Sequence, residues 1–119
     1  MSKINIHTRL KTQEKTYEYV VPAILREDDD VILYKEKDDQ RTTTTFNYRT
    51  KELIRENESL KMNYLFNKGK NSRGTIFVKE LGRKFDVTIN TSDIKRHDQN
   101  IEIIFSVEGQ PFNYKIEVK

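Results

Sequence analysis

Phe112, Tyr114, Ile116 and Val118 alternate with Asn113, Lys115, Glu117 and Lys119. A period of two places one set on each face of an extended chain, so this segment is a strand with an apolar and a polar side. The same period recurs along most of the sequence. Ile4, Ile6, Thr8 and Leu10 share a face, as do Tyr17, Tyr19, Val21 and Ala23. Ile32 and Tyr34 oppose Val31, Leu33 and Lys35, while Thr42, Thr44, Phe46 and Tyr48 form another set. Phe85, Val87, Ile89 and Thr91 follow, then Ile101, Ile103, Phe105 and Val107. Composition agrees: Ile, Val and Thr supply 30 residues, whereas Ala, Leu and Met supply 10. Branching at Cβ stiffens χ1 and suits a pleated surface better than a helix.

Turn-forming clusters separate these runs at Thr12–Lys15, Glu27–Asp30, Lys37–Gln40, Thr50–Glu52, Asn57–Ser59, Asn67–Arg73, Leu81–Lys84, Ser92–Asn100 and Glu108–Pro111. Strands joined by such short connections pair antiparallel. With one apolar face each, they close most simply into a meander that leaves no long exposed edge. The expected fold is therefore all-β: a single domain over residues 1–119, an antiparallel up-and-down barrel of eight to ten strands. Pro111 falls in a turn, and Pro22 is expected at a bulge or strand end. The stretch Thr50–Phe66 admits two readings. Leu53, Asn57, Leu60 and Tyr64 recur at helical spacing, but Asn57 interrupts that stripe, and a hairpin turned at Asn57–Ser59 is favoured. Ser92–Arg96 is expected as part of a loop.

The chain is polar, with 34% hydrophobic and 34% charged residues. Leu, Ile, Val and Phe nevertheless sum to 32 of 119 residues, above the roughly one-fifth needed for a core. Without cysteine there is no disulfide, thiolate nucleophile or Cys-based zinc site. No apolar run is long enough to span a bilayer, and the N-terminus lacks the apolar stretch of a secretory signal. A cytoplasmic protein without membrane insertion is expected. His7 and His97 stand apart in sequence, so no metal site is expected. Gly69, Gly74, Gly82 and Gly109 are too scattered for a phosphate-cradling loop. Asp28–Asp30 and Asp38–Asp39 lack the alternation and glycine pivot of a calcium loop and read as turn formers. With no nucleophile–base pattern either, no catalytic residue and no cofactor are assigned, and the protein is expected not to be an enzyme.

Two constellations remain as candidate sites. Arg55 shares the parity of Leu53; if Leu53 points inward, so does the guanidinium, which is costly unless paired or hydrogen-bonded. It then either pairs a carboxylate and hydroxyls to close the barrel or anchors the acidic head of a ligand; the third reading turns it outward. Around it, Tyr48, Tyr64 and Phe66 are candidate ligand-lining aromatics. The second constellation is electrostatic. Residues 61–96 carry nine basic and three acidic groups, against a net charge of +3 for the whole chain. Lys61, Lys68, Lys70, Arg73 and Arg83 are the candidate cations for a single-stranded nucleic acid, provided that they share a face.

The stretch LIRENESLKMNYLFNKGKNSRGTIFVKELGRKFDVTINTSDI carries a resemblance. Its strand ending at Arg55, the LKMNYLF segment with Phe66, then Gly69, Ile76, Val78, the Gly82 turn and the strand closing on Thr91 and Ile94 resemble the YwiB-like family of small bacterial β-barrels. YEYVVPAILREDDDVILYKEK is similar to that family's second and third strands. The resemblance implies a calycin-type barrel similar to lipocalins and fatty-acid-binding proteins, and no catalytic residues. Three roles stay open: a barrel filled by its own side chains that acts through an unknown, protein partner; a carrier of a small apolar or anionic ligand in or at the mouth; and a nucleic-acid module using residues 61–96.

Overall fold

A computed structural model describes the whole chain, residues 1–119. Its strands are β1 (Ser2–Lys11), β2 (Thr16–Arg26), β3 (Val31–Lys35), β4 (Thr43–Asn47), β5 (Glu52–Glu56), β6 (Leu60–Leu65), β7 (Asn71–Val78), β8 (Arg83–His97), β9 (Asn100–Val107) and β10 (Gln110–Val118). Each pairs antiparallel with its sequence neighbours, and β1 pairs with β10, which closes the ring. The fold is thus the expected up-and-down barrel, with ten strands. No helix is long and apolar enough to cross a membrane.

Strict alternation of direction sorts the connections. Those after β1, β3, β5, β7 and β9 gather at one end, the mouth. The others gather with both termini at the opposite, closed end. The Thr50–Phe66 stretch is the β5–β6 hairpin. Asn57, the residue that broke the helical stripe, makes the turn: its Oδ1 accepts from the N–H groups of Ser59 and Leu60, both at 2.9 Å. At the β9–β10 turn, Glu108 and Gly109 take φ of 50° and 81°, the mirror-image turn whose twist matches the flanking strands.

Pro111 lies in β10 opposite Ser106 rather than in the turn. Two further expectations are corrected. Ser92–Asn100 is not a loop: β8 runs on to His97 and pairs with β9 throughout, leaving Asp98–Gln99 as the turn. Ser92 is the extra residue of a bulge, because Thr91 faces Phe105 while Asp93 faces Ile104. The bulge shifts the parity by one, so Ile94 and Arg96 follow Ile89 and Thr91 on the inner face. Pro22 marks neither a bulge nor a strand end. It lies inside β2 in unbroken register opposite Asn5. It is tolerated there because β2 pairs with β3 only from Ala23 to Arg26, so the flank at Pro22 needs no N–H donor.

The inner face is filled from the closed end upward. Ile6, Ile32, Phe46, Leu53, Ile89, Ile103 and Ile116 are buried. Tyr48, also buried, donates its hydroxyl to the Gln99 carbonyl at 2.7 Å. The Arg96 guanidinium lies 4.7 Å from the Tyr48 ring centre and 3.2 Å from the Asp30 carboxylate. Arg96 is itself exposed and lies over the Tyr48 ring at the closed end, as the shifted parity of β8 allows. Gly74 sits opposite Tyr64 on the inner face, where an added Cβ would lie 2.7 Å from Ile89 Cδ1 and 3.0 Å from Tyr64 Cδ1.

Candidate functional site

Buried Leu53 fixes the inward parity of β5, and Arg55 follows it. The same parity on β3 carries Ile32, Tyr34 and, one step beyond the strand, Glu36. Arg55 Nε donates to Glu36 Oε2 and Nη2 donates to Oε1, each at 2.8 Å. Thr44 Oγ1 donates to the same carboxylate at 2.7 Å. The two side chains are 14% and 6% exposed, so this is a fork-to-fork ion pair largely withdrawn from water. Burial works against the guanidinium's charge, but the hydrogen bonds and negative charge of Glu36 outweigh it, and the Arg55 pKa is raised. Arg55 is therefore inward and paired to the Glu36 carboxylate, which also accepts from the Thr44 hydroxyl. Its Nη1 donates to no protein acceptor.

Below the pair lies a second polar group. The Tyr34 hydroxyl is 2.5 Å from that of Tyr114 and 3.1 Å from Thr8 Oγ1. Burial pushes the Tyr34 pKa up to about 12 and that of Tyr114 well above its ordinary value.

Above the pair the barrel is open. A cup of about 490 Å³ reaches from the mouth to the Arg55 side chain. Its apolar wall comes from Leu10, Leu53, Leu60, Met62, Phe105 and Phe112. Tyr17 and Tyr64 add aromatic rings with polar tips, and Asp38, Asp39 and Gln40 of the β3–β4 connection form part of the rim. Phe105 and Phe112 stack at 5.3 Å with 18° between planes. A hollow of about 500 Å³ over Asn71, Arg73, Asp86 and Thr88 has only one apolar side chain in its lining and lies on the outer wall of β7–β8. The cup is the concavity formed by the barrel interior.

Of the candidate ligand-lining residues, Arg55 and Tyr64 face the cup. Tyr48 and Phe66 do not: both are buried toward the closed end, where Phe66 packs 4.6 Å from Phe105, centre to centre. Glu36 is the residue that the sequence reading missed, although its shared parity with Ile32 and Tyr34 marks it as inward.

The candidate cations are dispersed. Lys68 pairs with Asp93 at 3.1 Å, and Lys70 lies on the closed-end connection. Arg73 stands opposite Thr88 and Arg83 opposite Val78, a five-residue separation along β8, or roughly 17 Å. Lys61, on β6, stands opposite Glu56 and Phe77. His7 turns outward to Glu18 at 2.8 Å, and His97 is exposed at the end of β8.

Residues 3–114 match the family described as "Domain of unknown function (DUF1934)". The chain belongs to this family. The structure is similar to the crystal structure of the YwiB protein from Bacillus subtilis, with a TM-score of 0.60 and 15% identity over 96% of this chain and 87% of that chain. At that identity the likeness bears on the fold, and it agrees with the resemblance read from β5–β8. A search of curated proteins gives no match. The DUF1934 barrel thus has a shared architecture, and its chemistry must be argued from the cup itself.

Proposed function

We propose that the protein is a binding barrel rather than an enzyme, and that its mouth cup holds one small, predominantly apolar molecule. The observation that carries this reading is the cup of about 490 Å³, walled by apolar side chains from β1, β5, β6, β9 and β10. Sites for small molecules typically occupy about 300–1,000 Å³ and combine an apolar wall with a few placed polar groups. Here the free Nη1 donors of Arg55 supply such a group, suited to a hydroxyl or carbonyl oxygen. The other polar groups favour holding over reacting: Arg55 is committed to Glu36, and Asp38 to Thr42.

Fluorescence titration with N-phenylnaphthylamine, an uncharged aromatic probe, tests this. Saturable binding of one probe per chain is expected. Leu60→Trp and Met62→Trp, which fill the cup from one strand, are expected to abolish binding while the barrel stays folded by circular dichroism. Absent binding in the wild-type chain, or binding unchanged in both folded variants, overturns the proposal.

A further inference from the structure

Charge on the cup decides which head group an apolar ligand can carry. Three charged residues line it: Asp38, Asp39 and Arg55. Arg55 looks like an anchor for a carboxylate, yet Glu36 already occupies its Nε and Nη2 at 2.8 Å. A ligand carboxylate at that depth would share one guanidinium with a second, buried carboxylate. With Glu36 counted, the cup carries two net negative charges.

Both aspartates stand at the rim. Asp38 is held in place, its Oδ1 accepting from the Thr42 N–H at 2.8 Å and its Oδ2 from Thr42 Oγ1 at 2.5 Å. Asp39 is exposed and its carboxylate has no partner in the chain. Beside them, the Tyr17 ring already receives an ammonium: Lys15 Nζ lies 5.0 Å from its centre. Lys15 lies at the rim and offsets one of the negative charges, so the carboxylates of Asp38, Asp39 and Glu36 outnumber the cations Arg55 and Lys15 by one. Aromatic faces attract cations more strongly as water is excluded, and Tyr64, Phe105 and Phe112 continue the aromatic wall inward.

Resting on the binding reading above, we infer that the cup selects cationic amphiphiles, an apolar body ending in an ammonium group, and rejects carboxylates of the same shape. The apolar body fills the space between Leu10, Leu60, Met62 and Phe112, and the ammonium stays at the rim against Asp38 and Asp39.

The test is competition for bound N-phenylnaphthylamine among three probes with one chain length: dodecylammonium, dodecanol and dodecanoate. Relative to dodecanol, dodecylammonium is expected to displace the probe at about fivefold lower concentration and dodecanoate at about fivefold higher, the scale of one unit charge facing another across a partly wet rim. The spread narrows as salt rises. Asp39→Lys, a charge reversal at an exposed position, is expected to narrow the spread about fivefold or invert it. Dodecanoate displacing at or below the dodecanol concentration overturns the inference, as does a spread unchanged by Asp39→Lys. Displacement in the wrong order leaves the binding reading standing, whereas failure of the wild-type chain to bind any probe overturns both.

Discussion

Replacing Arg55 by Leu leaves the Glu36 carboxylate, only 6% exposed, with Thr44 Oγ1 as its sole remaining hydrogen-bond donor. Removing one member of a buried ion pair typically costs about 3–5 kcal/mol. The Thr44 hydrogen bond places this case toward the lower end, about 3 kcal/mol. A small domain has a total stability of about 5–15 kcal/mol, so the variant should fold with much of its margin gone. In urea, with a slope of about 1–3 kcal/mol per molar, the midpoint should fall by roughly 1–3 M. The double variant Arg55→Leu, Glu36→Leu removes both charges. It should regain most of that loss, because well-packed apolar replacements of buried pairs are often neutral or stabilising. The reasoning is refuted if Arg55→Leu shifts stability by less than about 0.5 kcal/mol, the range of an ordinary surface change. It is equally refuted if the double variant loses as much as the two single variants together.

Other consequences follow from the polar floor, the barrel wall and the mouth. Tyr34 is buried neutral with its pKa raised to about 12; its contribution to stability is fully present below about pH 10 and is lost as pH rises through 12. Each unit of that shift corresponds to about 1.4 kcal/mol, so alkaline urea titrations should show stability falling by roughly 3 kcal/mol or more over that window, and a flat profile would contradict the buried hydroxyls. Gly74→Val adds atoms where even a Cβ meets Ile89 and Tyr64; overpacking of this kind costs about 1–3 kcal/mol, and unchanged thermal stability would show that the wall has slack. Because β2 lacks a β3 partner before Ala23, amides of Thr16–Val21 directed away from β1 should exchange with solvent much faster than those of Ala23–Arg26. Equal protection across β2 would show that the mouth seam is closed.

What the sequence reveals here is the face of each residue, not its height in the barrel. A period of two sets Arg55 on the face of Leu53 and Tyr48 on the face of Phe46, and the structure turns both sets inward, together with Tyr64 and Phe66. Whether an inner residue lines the cup or fills the core depends on register and on where each strand meets its neighbours. Tyr48 and Tyr64 share a face, yet only Tyr64 lines the cup, and nothing local distinguishes them. The bulge at Ser92 hides in the same way. No glycine announces it, the parity changes silently between Thr91 and Ile94, and Arg96 comes to lie over the Tyr48 ring although its neighbours read as hydrophilic loop. The β5–β6 hairpin was legible because Asn57 is a poor member of an apolar helical stripe and a good turn former. The Arg55–Glu36 pair joins residues from strands separated by β4, so parity marks both as inward without naming them as partners.

The central claim is that ligand enters the mouth cup, and the two methionines of the chain provide a direct measurement of it. Met62 lines the cup, while Met1 is exposed at the closed end. With isotope-labelled methionine methyl groups, the nuclear magnetic resonance spectrum holds one signal from each. Titration with N-phenylnaphthylamine should move the Met62 signal along a saturable curve and leave Met1 in place. Saturable binding by fluorescence with an unmoved Met62 signal, or with Met1 as the responding group, would contradict the account.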